Sequence, residues 1–248
     1  MKISIITVVF NSANTIKHAI DSVLSQTYKN VEYIIVDGMS SDGTIDIINS
    51  YGSKISRFIS EEDNGLYDAM NKGISMSTGD IVGFLNSDDF YINEKVIESI
   101  MIQFNKNNSL EVLYGNILYV DRYDITRVVR RWESKSYYDS YFEHGNVPAH
   151  PALYLSKKIF SIVGNFNTDL KFASDYEFML RLFKLHKFKF YYLDMNFVCM
   201  RLGGKTSGGL KSRISQNIEI YRSWKINNLN LPLLLFPYRI INKIKQYF

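Results

Sequence analysis

The chain has 248 residues, of which 46% are hydrophobic, enough for one α/β domain with a sizeable core. A single cysteine and four histidines exclude an intramolecular disulfide framework and disfavour a cysteine-rich or zinc site, which fits a reducing compartment. The net charge of +4 is uneven, because residues 201–248 carry nine Lys and Arg side chains but one Glu. No apolar run approaches the roughly 18 residues that a membrane span needs.

Short β-rich runs alternate with helical patterns over the first hundred residues. Residues 3–10 predict a strand rather than a signal peptide, because a polar segment follows at once. Apolar residues at helical spacing predict a helix over 16–24, and a second strand follows at 33–36. Further strands are predicted at 55–59 and 81–85, with a helix at 66–75 between them. This order predicts a Rossmann-like α/β fold: a mostly parallel sheet flanked by helices.

The pattern is less regular after residue 105. Strands are predicted at 112–119, 126–132 and 188–193, and helices at 156–162 and 176–185. We expect one domain over residues 1–207, with a ligand-binding half over 1–105 and a second half over 106–207. Residues 208–248 are expected to form a basic, amphipathic helical tail.

Acidic residues follow three successive predicted strands. They are Asp37, the pair Glu62 and Asp63, and the pair Asp88 and Asp89. Ligands of parallel sheets bind beyond the carboxyl ends of the strands, so these side chains are the first candidates for a site.

The neighbouring carboxylates of Asp88 and Asp89 would repel each other unless a cation or solvent compensates. Mg²⁺ or Mn²⁺ often uses one or two carboxylates and takes its other ligands from phosphate and water. The alternative is a helix cap before residues 92–104. Asp37 has two interpretations as well: a contact to a base or ribose, or a turn former with Asp42 as the cap.

Taken together with EDNGLYDAMNKG at 62–73, these patterns resemble the family-2 glycosyltransferases of the GT-A fold. SIITVVFN at 4–11 resembles that family's first strand, and SVLSQTY at 22–28 resembles the end of its first helix. VDGMSSDGT at 36–44 resembles the nucleotide-binding turn, and SDD at 87–89 stands at the D-x-D metal motif. The resemblance extends to about residue 207, and it implies that residues 1–105 are the nucleotide-sugar-binding half and residues 106–207 the acceptor-binding half. Gly38 and Ser87 depart from it, because many members have Asp at both positions.

The resemblance implies a role for each matching residue. Asp37 would contact the base, Asp88 the ribose or sugar, and Asp89 the divalent metal, Mn²⁺ or Mg²⁺. The other residues implied on the donor side are Thr7 and Asn11 near the nucleoside, and Asp63, Asp68, Asn71 and Lys72 in the 62–73 motif. Lys72 has the alternative of an exposed helix charge.

FASDYE at 172–177 resembles the family's catalytic-base motif, with Ser174 in the place of the usual Glu. Asp175 would then be the catalytic base, with Glu177 as the second choice. A serine and an aspartate before an apolar helical pattern also fit an ordinary helix start.

The resemblance implies an inverting hexosyltransferase that moves a hexose from a nucleotide sugar, UDP-galactose or UDP-glucose, to a lipid-linked saccharide. The expected acceptor is GlcNAc or GalNAc on a polyprenyl diphosphate, in the synthesis of O-antigen, the outer part of lipopolysaccharide, or another surface polysaccharide at the cytoplasmic membrane face. Residues 203–207, GGKTS, resemble a loop that closes over phosphates, although an ordinary turn fits too.

The apolar, aromatic and basic residues at 231–248 predict peripheral contact with an anionic membrane. A helix packed on the domain and a homodimer contact are the alternatives. Two other functions are considered. A sugar nucleotidyltransferase lacks support because no Gly-rich loop follows the first strand, and a non-catalytic membrane or carbohydrate-binding module would not need both Asp89 and Asp175. No nucleic-acid partner is expected, since no groove-reading motif is present.

Overall fold

The computed structural model describes residues 1–203 and 209–247. The strands in that part are β1 (Ile3–Val9), β2 (Val31–Asp37), β3 (Arg57–Ser60), β4 (Ile81–Phe84), β5 (Phe90–Tyr91), β6 (Val112–Val120), β7 (Val128–Trp132), β8 (Leu153–Ser156) and β9 (Phe190–Arg201). The α-helices are α1 (Ile16–Leu24), α2 (Thr44–Asn49), α3 (Leu66–Met76), α4 (Val96–Lys106), α5 (Lys158–Val163), α6 (Ser174–Leu180), α7 (Leu210–Ile226) and α8 (Leu235–Lys245).

The strands form one sheet in the order β3-β2-β1-β4-β8-β6-β9-β5, and β7 pairs with β6 outside this path. Strands β1 to β4 are mutually parallel, with Val9 opposite Asp37 and Asp37 opposite Ser60. Strand β8 is antiparallel to both β4 and β6, so the sheet is mixed beyond β4. The parallel part therefore places the loops after β1, β2 and β4 at one edge.

Helices cover both faces of the sheet, and the alternation along β1 shows why. Ile6 and Val8 join a core that includes side chains of α3, α6 and α7. Ile5 and Val9 join a second core built with α1 and α4. A strand buried on both faces has apolar residues at successive positions, which is the pattern of residues 3–10. The predicted α/β fold is confirmed.

Two of the predicted element boundaries are wrong, one in each half of the domain. The last strand extends to Arg201 instead of ending at residue 193, because its outer residues pair with β5 and with the end of β6. Helix α4 begins at Val96 instead of residue 92, since residues 90–91 form β5. Strand β8 was not predicted, because its four residues are too short to show a period.

The two C-terminal helices pack on the domain along one face. The indole Nε1 of Trp224 in α7 donates a hydrogen bond to the Tyr176 hydroxyl at 2.9 Å, and Leu235 in α8 is fully buried. The Arg131 amide of β7 donates to the Gln246 carbonyl at 2.9 Å. In the part of the chain that the structure describes, no helix combines the length and apolarity that crossing a bilayer requires.

Candidate active site

The loops after β1 and β2 interlock through Asn11 and two serines. The Asn11 amide donates to Ser40 Oγ at 2.8 Å, and the Ser41 amide donates to Asn11 Oδ1 at 2.9 Å. Asn11 has a φ of +49°, a conformation that asparagine tolerates better than most residues. Asn11 therefore holds the two loops together at the carboxyl edge of the sheet.

Asp37 lies at the end of β2 and is fully buried. Its Oδ2 accepts hydrogen bonds from the Ser40 amide at 2.9 Å and from Ser60 Oγ at 2.7 Å, and its Oδ1 accepts one from Ser40 Oγ. These bonds fix the turn after β2, so the geometry matches the turn-former interpretation. The predicted contact between Asp37 and a base stays a prediction.

The structure places Thr7 inside the core instead of at the edge of the sheet. Its side chain is fully buried, and its hydroxyl lies 3.1 Å from the Tyr33 hydroxyl. Phe10, at the end of the same strand, has 47% of its surface exposed beside the loops. Phe10 was not among the predicted site residues, because its exposure cannot be read from an apolar strand pattern.

Gly38 and Asp63 meet closely at this edge. A Cβ atom built on Gly38 would lie 2.4 Å from Asp63 Oδ2, far inside van der Waals contact. Asp63 Oδ1 accepts a hydrogen bond from the Gly65 amide at 2.8 Å, which holds the carboxylate in place. The Asp63 carboxylate therefore occupies the space that a side chain at position 38 would need.

The other residues of the 62–73 motif hold the local structure. Asp68 Oδ2 accepts from the Asn64 amide at 3.0 Å. The Lys72 ammonium pairs with Glu61 at 2.9 Å, and this hydrogen bond is the main cause that raises the Lys72 pKa. Asn71 donates to and accepts from the Phe166 backbone at 2.9 and 3.0 Å. Asp68 and Lys72 therefore shape the loop before α3, and Asn71 joins α3 to the second half of the domain.

Asp89 lies in the loop between β4 and β5, next to Asp88, and is buried. Its Oδ2 accepts from Asn86 Nδ2 at 2.8 Å and its Oδ1 from the Arg201 amide at 3.3 Å. Burial, followed by the charge of Asp88, raises the pKa of Asp89 well above its usual value. A cation bound beside Asp88 and Asp89 would stabilise the charged form of Asp89 and so oppose the effects of burial and of the Asp88 charge on its pKa.

The donor set of Asp88 and Asp89 fits a metal that brings further ligands of its own. In residues 1–203 and 209–247, no group of three His, Cys, Asp or Glu side chains could enclose a metal. Two adjacent carboxylates suit Mg²⁺ or Mn²⁺ when the remaining ligands are phosphate oxygens and water. The residues present therefore match a metal held jointly with a diphosphate.

Arg201, at the end of β9, brings a guanidinium to the acidic pair. Its Nη1 donates to the Asp88 carbonyl at 3.1 Å, and its Nη2 donates to His18 Nδ1 at 2.6 Å. Burial, then the Arg201 charge, lowers the His18 pKa, so the imidazole is held neutral as an acceptor. His18 was not among the predicted site residues, because it lies within the amphipathic pattern of α1.

Asp175 lies in the first turn of α6 and contacts the other half of the domain. The Tyr67 hydroxyl of α3 donates to Asp175 Oδ1 at 3.0 Å. Burial, followed by the charge of Asp175, raises the Tyr67 pKa well above its usual value, so this phenol remains a donor. A cavity of about 250 Å³ opens beside Tyr67, between the start of α3 and residues 168–171.

Glu219 of α7 fixes the segment that precedes Asp175. Its carboxylate is buried and accepts hydrogen bonds from three successive backbone amides. The donors are Lys171 at 3.0 Å, Phe172 at 2.7 Å and Ala173 at 2.9 Å. A C-terminal helix thus positions the start of α6, a role that no local pattern around Glu219 indicated.

Glu177, the second choice for the base, has a structural role. It is buried and pairs with Arg181 at 2.7 Å, and it accepts from Asn227 Nδ2 at 3.0 Å. Asp175 is therefore more accessible than Glu177 in this helix.

His150 is buried between the rings of Phe84 and Phe166, and burial lowers its pKa.

Apart from Asp175 in α6, the predicted site residues fall into two groups. Those at the carboxyl edge of the sheet are Asn11, Asp37, Asp63, Asp88 and Asp89, and a hydrogen bond of 3.1 Å between Ser87 and Ser12 joins the β4 and β1 loops there. Those that the structure gives other contacts are Thr7, Asp68, Asn71 and Lys72. In the predicted phosphate loop, the Gly203 carbonyl accepts a hydrogen bond from Arg122 Nη1 at 2.6 Å. Residues 204–207 of that loop lie outside the described residues.

The fold is an α/β domain of the GT-A type, and it carries acidic residues at the carboxyl edge of its sheet. The chain belongs to glycosyltransferase family 2, because the family model, Glycosyl transferase family 2, matches residues 4–163. An uncharacterized glycosyltransferase of Rickettsia typhi is 32% identical over 188 residues, which are 74% of this chain and 59% of that relative. The chain thus spans about three fifths of the length of this relative.

Other similar proteins support the same fold. A PGL/p-HBAD biosynthesis glycosyltransferase of Mycobacterium bovis is 26% identical over 183 residues, 73% of this chain and 69% of that protein. The S. aureus TarS 1-349 complex with UDP-GlcNAc superposes with a TM-score of 0.70 at 18% identity, covering 96% of this chain and 69% of TarS 1-349. The mannosyltransferase PcManGT from Pyrobaculum calidifontis, bound to GDP-Man and Mn²⁺, gives 0.66 at 16% identity, covering 99% and 69%.

Proposed function

We propose that the chain is an inverting glycosyltransferase that transfers a hexose from a nucleotide sugar to a hydroxyl of a saccharide acceptor. The observation that carries the proposal is the hydrogen bond between Tyr67 and Asp175, because it brings a carboxylate of the second half to the helix that follows the donor-side loop. Membership of family 2 supports the reaction class.

The proposed donor site is the edge formed by the loops after β1, β2 and β4. Phe10, Asn11 and Asp63 would contact the nucleoside, with Asp37 supporting the turn beneath it. Asp88 would contact the ribose or the sugar. The proposal is supported by the interlocked loops and by the nucleotide sugars bound in TarS and PcManGT.

A divalent metal, Mn²⁺ or Mg²⁺, would be held by Asp89 with Asp88 alongside. When bound, the metal neutralises charge on the departing nucleoside diphosphate. Arg201 would add a second positive charge at the same place, since its guanidinium already contacts the Asp88 carbonyl.

Asp175 would act as the base. It accepts the proton of the acceptor hydroxyl while that oxygen attacks the anomeric carbon from the face opposite the leaving group. Tyr67 would orient the carboxylate through its hydrogen bond, and Glu219 would hold the backbone that carries it. Attack on the opposite face inverts the anomeric centre.

The acceptor proposed is GlcNAc or GalNAc on a polyprenyl diphosphate, and the donor UDP-galactose or UDP-glucose, in O-antigen or other surface-polysaccharide synthesis. The experiment is a panel of nucleotide sugars with Mn²⁺, scored first by thermal stabilisation and then by transfer to a synthetic prenyl-diphosphate saccharide. Stabilisation by UDP-hexoses and an inverted product are expected. Stabilisation by nucleoside triphosphates together with pyrophosphate release would instead favour a sugar nucleotidyltransferase.

Peripheral attachment to the cytoplasmic membrane face is proposed for α8. Its outer surface exposes Ile240, Ile241 and Ile244, and Leu233 precedes it almost fully exposed. Lys243 and Lys245 lie on the same helix, so apolar and basic groups meet at one surface. A homodimer contact is the alternative occupant of this face.

Replacing Ile240 and Ile244 with serine tests this attachment. At least about a hundredfold weaker binding to phosphatidylglycerol vesicles is expected by sedimentation, because the two isoleucines together contribute roughly 3 kcal/mol or more when they leave water. Ile162→Ser is the matched control, because Ile162 is exposed on α5. Equal vesicle binding by all variants would refute attachment through α8, and a change in oligomeric state would indicate the dimer.

A further inference from the structure

A second cavity lies between the β6–β7 hairpin and α8. Its volume is about 480 Å³. Cationic side chains from both elements line it, together with aromatic rings: Arg130, Lys135, Arg239, Lys243, Tyr119 and Trp132. Glu133 is the carboxylate among the described lining residues, so positive charge dominates the cavity.

Arg130 is the most enclosed of these cations. Its side chain is 8% exposed, and its Nε is buried without a hydrogen-bond partner among the described residues. The guanidinium lies 3.6 Å from the centre of the Tyr119 ring, which leaves its edge for another group. A buried cation without an anionic partner is costly, so this arrangement suits an anion supplied from outside.

Arg239 and Lys243 of α8 approach Arg130 from the opposite wall. Within residues 1–203 and 209–247, no ion pair of 4.0 Å or less involves any of the three. Burial, then the charges of Arg130, Arg213 and Arg239, lowers the pKa of Lys243. The repulsion that these arginines exert on Lys243 would be offset by an anion bound among them.

Electrostatic interactions connect two lining residues of the cavity to the proposed reaction carboxylates, Asp89 and Asp175. Burial raises the pKa of Tyr119 to about 12, against the effect of Arg130, and the charge of Asp89 adds to the rise. Burial lowers the pKa of Arg239, while Tyr176 and then Asp175 oppose that effect. The cavity is therefore within electrostatic range of the metal and base positions.

We propose that this cavity binds the diphosphate group of the acceptor, with Arg130, Arg239 and Lys243 as its ligands. The proposal rests on the proposed function and adds the subsite that reads the acceptor's anionic end. Trp132 and Tyr119 supply aromatic surface for the adjoining sugar. The apolar outer face of α8 adjoins the same wall, where the prenyl chain of such an acceptor would leave.

The test uses calorimetric titration of the full chain with inorganic pyrophosphate and with geranyl diphosphate, in EDTA and with or without excess UDP. Arg130→Gln and Lys243→Gln are each expected to weaken both probes at least about tenfold, as loss of a charge-assisted hydrogen bond requires. Arg222→Gln and Lys225→Gln, exposed on α7, are the matched controls and should leave the affinities unchanged. Lys243 is exposed at its outer side, so its variant tests the proposal even if Arg130→Gln unfolds.

Displacement of the probes by UDP, or unchanged affinities in both cavity variants, would overturn the proposal. Phosphatidylglycerol vesicles form a second arm with Arg130→Gln, whose side chain is enclosed on β7 and takes no part in the proposed membrane surface of α8. A matching loss of vesicle binding in that variant would assign the cavity to bilayer headgroups and overturn the acceptor assignment. The proposed function can fail separately. If the wild-type chain transfers no hexose but Lys243→Gln still weakens pyrophosphate binding, the anion site is supported and its assignment to a saccharide acceptor is refuted. Transfer with an unchanged acceptor KM in Lys243→Gln refutes the cavity's role alone.

Discussion

Tyr67 and Asp175 are 108 positions apart in the sequence and share a hydrogen bond of 3.0 Å. Tyr67 belongs to α3, which follows the loop that carries Asp63. Asp175 lies in the first turn of α6, in the second half of the domain. The bond is part-buried, so water competes with it less than at the surface. It fixes the proposed base relative to the donor side, and the first two predictions follow from it.

Replacing Asp175 with asparagine should lower the transfer rate by about 10²- to 10⁴-fold, because an amide cannot accept the acceptor proton. Affinity for UDP with Mn²⁺ should stay near normal, since the nucleotide loops are untouched. Turnover and UDP titration on the same preparation measure the two effects. Asp169→Asn, an exposed carboxylate in the preceding segment, is the control. Near-normal turnover in Asp175→Asn would remove the base assignment.

Tyr67→Phe deletes the hydroxyl that orients Asp175 and leaves the buried ring in place. Loss of one hydrogen bond to a charged group corresponds to about 1.5 kcal/mol or more, so kcat should fall about tenfold or further. The donor KM should change little, because only the orientation of the base is altered. Tyr123→Phe, at a fully solvated ring, serves as the comparison. A fall in donor affinity without a fall in kcat would contradict the positioning role.

The fold of the first half was predictable because its strands and helices alternate in short segments whose patterns can be read from neighbouring residues. Alternating strands and helices place Asn11, Asp37 and Asp89 at the ends of consecutive parallel strands, and topology then brings those ends together. Strand β8 could not be predicted in the same way, since it joins the sheet antiparallel through partners distant in sequence. The pairing of its four residues depends on tertiary contacts.

The supporting residues were harder to predict than the acids themselves. Glu219 looks like an ordinary charge on a polar helix until the fold brings it to three backbone amides before α6. Thr7 is a different case, because a motif position predicted a place near the nucleoside and the strand turns the Thr7 hydroxyl to Tyr33. Motif spacing predicts which loop carries a site, whereas side-chain direction requires the packed structure.

Stability should fall in acid through Glu32, which links β2 to the start of the chain. Burial alone would raise its pKa, but hydrogen bonds from Ser4 and Thr78 and the charge of Lys2 lower it to about 2. A folded pKa below the unfolded value of 4.5 means that this stabilisation is full above pH 4.5 and is lost as the pH falls toward 2. Urea unfolding between pH 6 and pH 3 should lose stability in wild type and lose less in Glu32→Gln. Equal pH slopes would contradict this.

Glu219→Ala should both destabilise the fold and slow transfer. Removing the carboxylate leaves three backbone amides without their acceptor, which costs about 2 kcal/mol or more when such groups are buried. The segment before Asp175 would then lose its anchor, so kcat should fall more than the donor affinity does. Urea unfolding and steady-state kinetics measure the two effects, with Asn217→Ala on the exposed face of α7 as the control. Glu219→Gln should recover part of both, and a variant that unfolds more easily but keeps kcat would confine Glu219 to stability.

Gly38→Ala should weaken nucleotide binding through Asp63. The new methyl group would lie 2.4 Å from Asp63 Oδ2 and would displace the carboxylate. UDP affinity is expected to fall about tenfold, corresponding to a displacement cost of about 1.4 kcal/mol. Asp63→Ala removes the obstacle, so adding Gly38→Ala to that variant should cause little further loss.

The double-mutant cycle separates a direct clash from a general effect of alanine on the turn. Strong non-additivity between positions 38 and 63 is expected for residues in contact. Restoring a carboxylate from the other side, in Gly38→Asp combined with Asp63→Gly, should recover part of the UDP affinity if the position of the charge is what matters. Additive losses and no recovery in this exchanged pair would show that Asp63 supports only the loop and does not contact the nucleoside.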